Sequence, residues 1–587
     1  MLRIRGRTAA VTSSAPRRPA RRRSLLVASV LVAATTISGV TTASSASPQS
    51  ADGQFPRNES LITSGTQWGP PSSWNPLQGG GQAMGVRGLL YETLFLFNPW
   101  TLELEPWLAE SGSWTAEDTY ELKLRAGLTW QDGEPLTAAD VAFTLELGHE
   151  EAVKFTNVWT YLESVEAVDD TTVVFTFSDP RAGEWDNFLT SNQIVPQHLW
   201  ADIPLDELGT YANSDNPIGS GAYRYHSTTE TRMVWERNDD WWGIEALGLE
   251  MKPRYIIDLV NPSNEVALGL ISRGDVDMSN NFLPGIQQLV NGDFGITTFY
   301  PEEPYMLSAN TAMLIPNTNT PPLDDAAFRR ALAGSIDTEL IASNVYGGIV
   351  RPANPTGLLP SWDRFVDADV VAANGFSFDP EAAAAELEAA GYVDTDGDGF
   401  VETPEGEAIS LSLITPAGWT DWNQAAQVIA DSAAQAGIRV ESETPSSQEV
   451  DERRNSGDFD LVMNNWNDLQ NTPWTYYDYL FRLPVQDTQS NANFARYTND
   501  EAWELTQLLG RTAVTDPAIQ EPLSRLQEIA LTEMPAIPMW YNGLWSQVSN
   551  EHWTNWPTGD GAPFPTTWSN FWEKGAIYWL TQVEPVS

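Results

Sequence analysis

The 587-residue chain contains no cysteine, so disulfides, thiolate metal sites and cysteine nucleophiles are excluded. A bacterial lipoprotein anchor is excluded on the same ground, because it needs a Cys at the mature N-terminus. Lysine is almost as scarce. Only Lys123, Lys154, Lys252 and Lys574 occur, and none follows a glycine as a phosphate-binding P-loop requires. The four histidines, His149, His198, His226 and His552, are scattered without metal-ligand spacing. Positive charge is in deficit overall, with 32 Lys and Arg against 79 Asp and Glu and a net charge of −47. Such a surface repels nucleic acid and anionic lipid and favours solubility.

The start of the chain departs from this pattern. Eight Arg and no acid occupy residues 1–23, an apolar run follows from Leu25 to Val40, and small residues lead to Ser44-Ser45-Ala46. A basic region, a short apolar region and a small-x-Ala site read as a secretory signal over residues 1–46. The apolar run is short and rich in Thr, Ser and Gly, which argues against a membrane anchor. Arg21-Arg22-Arg23-Ser24-Leu25-Leu26 is a partial match to a twin-arginine signal. Cleavage after Ala46 removes the eight Arg and takes the net charge from −47 to −55. The exported remainder is long enough for three or four units of roughly 150 residues.

What the sequence does have is tryptophan, 25 residues against 17 Tyr. Thr119–Arg125 alternates apolar and polar residues and Thr171–Phe177 is β-branched and aromatic, so both predict strands. Asp325–Ala342 spaces Phe328, Leu332, Ile336 and Leu340 four apart and predicts one amphipathic helix. Asp379-Pro380 before Glu381–Ala390 and Gly391 reads as N-cap, first-turn proline, helix and C′ glycine. A helix over Trp422–Ala436 and strands at Ile438–Glu441 and Phe459–Met463 complete an α/β pattern. No internal repeat or long low-complexity linker interrupts it.

Several segments carry a likeness as an ordered set. Leu90–Leu94 (LYETL), Glu105–Glu110 (EPWLAE), Leu124–Leu128 (LRAGL), Trp130–Gly133 (WQDG) and Leu136–Val141 (LTAADV) come first. Asn216–Tyr223 (NPIGSGAY), Arg237–Trp242 (RNDDWW), Asp325–Asp337 and Phe378–Tyr392 follow. Together they resemble the large solute-binding proteins of ABC importers, family 5, which include oligopeptide-, nickel- and cellobiose-binding proteins. The likeness runs from about residue 57 to the C-terminus. It implies a two-lobed, periplasmic-binding-protein-like α/β fold of type II, in the large cluster with an extra subdomain in lobe one. Mapped onto this chain, lobe one takes 57–310 plus 535–587, with the extra subdomain near 96–215, and lobe two takes 311–534. Within the family, Trp68–Pro76, Ala309–Ala312, Ala353–Pro355, Gly418–Trp422, Asp460–Asn465 and Ile537–Thr558 are similar to binders of cellobiose and β-gluco-oligosaccharides.

The chemistry of these residues agrees. A pyranose has an apolar face of C–H bonds and a rim of hydroxyls. Trp supplies a flat apolar surface, and Asn supplies a donor and an acceptor to adjacent hydroxyls without a charge to desolvate. The expected ligand contacts are Trp68, Trp74, Asn75, Asn310, Trp419, Trp422, Asn464, Asn465, Trp466, Trp540, Tyr541, Asn542 and Trp545. Each Trp among them, and Trp553 and Trp556 nearby, serves either as a stacking surface or as core. Peptide binders of the family carry an Asp three residues after the Trp of this region. Here that position is Leu469, with Asp468 one place early.

Asp394-Thr395-Asp396-Gly397-Asp398-Gly399, with Glu405 at the twelfth position, matches a calcium loop. Its ligands would be Asp394, Asp396, Asp398, Phe400 (through its carbonyl), Glu402 and Glu405. A strand predicted at Ala408–Ile414 argues against a complete helix–loop–helix. A structural Ca²⁺ and a metal-free acidic turn both remain open here. A glycosidase would need two carboxylates flanking an aromatic cleft, but no segment resembles a glycosidase motif. The expectation is a monomeric, exported, non-enzymatic binding protein with no required cofactor. It would capture β-linked gluco-oligosaccharides, cellobiose-type or laminari-type, and hand them to the membrane permease subunits of an ABC importer. An oligopeptide-binding protein of the same family is the alternative.

Overall fold

The computed structural model describes residues 55–586, apart from 66–68, 80, 291, 293, 467–468, 560–561, 563 and 565–571. The expected signal segment, Trp68 and Asp468 lie outside the described residues. No helix among the described residues is long and apolar enough to cross a membrane.

Two large mixed sheets organise the chain. The first has seven strands, with Ser60–Ser64 near its centre, parallel to both Tyr255–Leu259 and Met278–Ser279. Tyr223–Thr228 and Arg232–Arg237 extend one side of it, and Gln547–Ser549 and Ile296–Thr298 the other. The second has six strands, with Ser308–Pro316 between Ile537–Gly543 and Leu461–Trp466, followed by Leu411–Ile414 and Val440–Glu443. Ile537–Gly543 was expected in lobe one, but its hydrogen bonds run to Ser308–Pro316. That strand therefore belongs with the second sheet. Among the described residues the chain passes from sheet to sheet through 299–307 and returns through 544–546. A separate four-stranded antiparallel sheet, Ala109–Ala116, Thr119–Leu124, Thr172–Phe177 and Leu162–Ala167, falls within the range expected for the extra subdomain.

Local chemistry sets these elements. The alternation of Thr119–Leu124 buries Tyr120, Leu122 and Leu124 on one face. The helix Pro380–Ala390 starts where Asp379 Oδ1 accepts the Ala382 N–H at 3.0 Å and ends at Gly391, whose φ is 94°. The helix expected over Asp325–Ala342 is interrupted: it runs Ala326–Gly334 and restarts at Thr338. The Asp337 carboxylate accepts the Leu340 N–H and caps the new turn, and Leu340 points to solvent. The apolar stripe thus ends at Ile336.

The segments most characteristic of the sequence build scaffold. Glu92 is buried and accepts all three indole N–H groups of Trp107 (3.0 Å), Trp241 (3.2 Å) and Trp242 (2.8 Å). Burial pushes its carboxyl up to about 7 against those hydrogen bonds. In the turn before Tyr223, a Cβ at Gly221 would sit 2.0 Å from the Leu89 carbonyl oxygen, so only glycine fits.

Candidate ligand-binding cleft

The carboxyl ends of the parallel strands in the two sheets meet across a crevice, the usual position for ligands in α/β folds. From the first sheet, Ser64, Asn261, Asn280 and Asn281 stand at or just beyond the ends of Ser60–Ser64, Tyr255–Leu259 and Met278–Ser279. From the second come the loop after Leu411–Ile414, leading to Trp419, and the end of Leu461–Trp466. The adjoining antiparallel strands contribute Asn310 and Asn542, which are register partners.

Contacts across the crevice show that its walls touch. Asn264 of the first half donates to Asp421 Oδ1 of the second at 3.1 Å; within the second half, Tyr346 O–H donates to Asp421 Oδ2 at 3.0 Å. Burial pushes Asp421 up to about 6 despite these two hydrogen bonds. Phe282 packs edge-on against Tyr346 and Trp545, at 5.1 and 5.3 Å between centroids. Further out, Arg511 pairs with Asp179 at 2.6 Å, Asn471 donates to Asp186 at 2.8 Å, and Gln470 bonds Thr190 and Ser191.

Around these strand ends, in the returning segment 544–546 and at the start of the helix Thr420–Ala433, are buried polar atoms with no partner in the protein. They are Nδ2 and Oδ1 of Asn310, Nδ2 of Asn261 and Asn281, Oδ1 of Asn542, Oγ of Ser546 and Oγ1 of Thr420. Asn310 is fully buried, so both of its amide atoms are withheld from bulk water. Leaving a buried donor or acceptor unmatched costs about 1–3 kcal/mol each. The same segments carry a line of rings. Trp419 meets Trp422 at 4.8 Å, Trp422 meets Trp540 at 6.3 Å, and Tyr346 lies 5.3 Å from Trp540 and stacks with Trp545 at 6.2 Å. Trp422, Trp540 and Trp545 are buried, whereas Trp419 keeps a partly exposed ring.

The other expected contacts are placed as follows. Asn464, Asn465 and Trp466 line a cavity of about 620 Å³ that continues between the two halves of the molecule. Trp466 is the register partner of Thr311, the neighbour of Asn310. Tyr541 is held internally, its O–H donating to Leu358 O at 2.7 Å and accepting the Asn354 N–H at 2.9 Å. Asn75 is likewise engaged, donating to Leu208 O and Tyr211 O and accepting the Leu77 N–H. Trp74 is buried against Tyr225 in the first sheet's core. Trp553 and Trp556 belong to that core as well, donating to Ser60 O and to Ser549 and Trp553 O. Asn261, Asn281, Thr420 and Ser546 were not anticipated. Their signal is positional: each sits within three residues of a strand end or helix start.

In the acidic loop, Asp394, Asp396, Asp398 and Glu402 bring their carboxylate oxygens within 4.8 Å of one another. Glu405 is exposed and stands outside that group. Bridges from Glu402 to Val393 and Ala408 replace the second helix of an EF-hand. Asp398 also pairs with Arg439 at 2.6 Å, and the same guanidinium lies over the Phe400 ring at 4.2 Å.

Comparison with known proteins gives a consistent answer. The family model of bacterial extracellular solute-binding proteins, family 5 Middle, matches residues 103–486. The oligopeptide-binding protein AppA of Bacillus subtilis is 26% identical over 396 residues, covering 66% of this chain and 68% of its own. A crystal structure of a mannohexaose-bound oligopeptide ABC transporter periplasmic oligopeptide-binding protein from Thermotoga maritima is 40% identical. It superposes with a TM-score of 0.85 over 90% of this chain and 99% of that one. AppA in complex with a nonapeptide shares the fold at 22% identity and a TM-score of 0.74, covering 90% of this chain and 99% of that one. The chain therefore belongs to family 5 of the bacterial extracellular solute-binding proteins, whose members are the substrate-binding components of ABC transporters and not enzymes.

Proposed function

We propose that this protein captures β-linked gluco-oligosaccharides between its two sheets and presents them to an ABC permease. The supporting observation is the set of neutral, buried, unpartnered amide and hydroxyl atoms beside the partly exposed Trp419 ring. Neutral donors and acceptors satisfy sugar hydroxyls without stranding a charge when the walls close. The ring offers the flat apolar surface that a pyranose face needs. A ligand that matched these groups would stabilise the closed arrangement through contacts to both sheets, which is how binding energy is converted into closure. The linkers 299–307 and 544–546 are the segments about which the halves would swing. The mannohexaose bound to the Thermotoga maritima relative supports an oligosaccharide. The name of the Bacillus subtilis relative supports the oligopeptide alternative.

Calorimetric titration with cellobiose, cellotriose, laminaribiose, mannohexaose and a tripeptide tests the reading. Saturable binding of a β-gluco-oligosaccharide, with the sugar recovered uncleaved, is expected. Binding of the tripeptide with no response to any saccharide would refute it, and preference for mannohexaose would move the assignment from gluco- to manno-oligosaccharides.

A further inference from the structure

Two helices that belong to neither large sheet meet end to end, and they come from opposite halves of the molecule. Helix Ala182–Ser191 follows the small antiparallel sheet, and its Trp185 and Leu189 are buried in the core that serves the first large sheet. Helix Asp500–Arg511 buries Ala502 and Leu509 in the core of the second. Gly183 sits in the first turn of the former. A Cβ there would lie 3.2, 3.3 and 3.4 Å from the carbonyl oxygens of Thr512, Gly510 and Leu509, at the end of the latter. The positive end of one helix dipole therefore faces the negative end of the other.

Side chains tie the same junction. Arg511 Nε donates to Asp179 Oδ1 at 2.8 Å and to Oδ2 at 2.9 Å, and its Nη2 donates to Oδ2 at 2.6 Å. Asp179 is held in place on its own side, where Arg181 Nε donates to its Oδ2 at 3.1 Å and Arg181 Nη1 donates to Glu184 Oε2 at 3.0 Å. The Arg511 hydrogen bonds, more than any other contact, hold the Asp179 carboxyl below its usual range. One turn further along the first helix, Asp186 Oδ2 accepts Asn471 Nδ2 at 2.8 Å. Forked geometry and a carboxylate already fixed by a second guanidinium reduce the side-chain entropy that an isolated surface pair would lose.

We propose that the Asp179–Arg511 junction is a closure latch, which holds the two halves together before any ligand arrives. Both halves carry far more Asp and Glu than Lys and Arg, so the general electrostatic background between them is repulsive. A forked ion pair at the junction of two helix ends opposes that background at one point. It is broken only when the halves part, because each partner is fixed to a different core. Closure is then governed partly by ionic strength even where the captured solute is neutral. The latch depends on no ligand chemistry and stands apart from the assignment of the solute.

The absence of native cysteine makes a direct test possible. Spin labels on cysteines introduced at the exposed positions Val168, in the small sheet's half, and Leu340, in the other, report the distance between halves by pulsed electron resonance. The measurement is made on the exported chain without ligand, and closed and open populations are both expected in dilute buffer. Arg511→Gln should lower the closed-to-open ratio roughly five-fold, the upper end of what a half-exposed ion pair supplies. Asp179→Asn should do the same from the other side, and serves alone if Arg511→Gln fails to fold. The double variant should lose no more than either single one, because the two residues act on each other. The gap between parent and variants should shrink in ~0.5 M salt. A ratio unchanged by these substitutions, or losses that add in the double variant, overturns the latch. A failure of the protein to bind any saccharide would overturn the solute assignment and leave this result untouched.

Discussion

Replacing Asn310 with leucine separates a ligand-facing amide from a structural one by the sign of its effect. Leucine has nearly the shape of asparagine but needs no hydrogen bonds. Asn310 is fully buried and both of its amide atoms lack a protein partner. In the ligand-free protein the substitution removes a desolvation cost of about 1–3 kcal/mol and forms no cavity, so stability should rise. For a cooperative unit of this size, unfolding entropy is on the order of 1 kcal/mol/K, which translates into a Tm increase of about 1–3 °C. With ligand the sign reverses. Losing hydrogen bonds to a sugar hydroxyl and leaving that hydroxyl unmatched costs about 2–4 kcal/mol, a ~30- to 1,000-fold weaker Kd. Scanning calorimetry without sugar and isothermal titration with it read the two effects on one preparation. A Tm lowered by several degrees with unchanged sugar affinity would refute the argument and make Asn310 a packing residue.

Three further outcomes follow from the same structure. Trp419→Ala, at the partly exposed end of the line of rings, should weaken cello-oligosaccharide binding by about 1–2 kcal/mol while shifting Tm little; unchanged affinity on titration would remove it from the site. Glu92→Gln places an amide N–H₂ against an indole donor and should lower Tm, at a cost of about 1–3 kcal/mol, without changing sugar affinity; a change in affinity at constant Tm would contradict its scaffold role. Stability should also fall as pH rises from 5 to 8. Burial raises Glu92, Glu184 and Asp258 to about 7 and Asp186 and Asp421 to about 6, above the values near 4 of an unfolded chain. The folded form therefore holds protons that the unfolded form releases, so its advantage is complete below about pH 4 and is lost as pH climbs through 6 and 7. Each group contributes up to about 1.4 kcal/mol per pH unit within its window. Asp169, lowered to about 2 first by the Thr171 N–H, acts only in more acidic solution. A Tm that is higher at pH 8 than at pH 5 would contradict this account.

What the sequence disclosed depends on whether a residue's partner is local, internal or external. The helix Pro380–Ala390 was legible at both ends because Asp379 and Gly391 act on atoms within a few residues of themselves. The strand Thr119–Leu124 was legible because its alternation is its burial. The break at Ser335–Asp337 was not, because the same Asp337 that fits a helical run also caps a new turn. In the cleft, Asn464–Trp466 could be located from the end of a predicted strand. Asn281 could not, since the two-residue strand Met278–Ser279 has no period to detect. The tryptophan-rich stretch divides on the same principle. Trp553 and Trp556 have internal carbonyl acceptors and are core, while Trp545 joins the rings beside the crevice. The most recognisable segments, around Glu92, Trp107, Trp241 and Gly221, each satisfy a fixed internal partner, so any chain with this scaffold must repeat them. Asn310 has no internal partner for either amide atom, and nothing in the scaffold constrains it to stay the same from one relative to the next. The family is therefore readable from the residues that hold the fold, whereas the residues that the fold leaves unsatisfied follow no rule the scaffold sets.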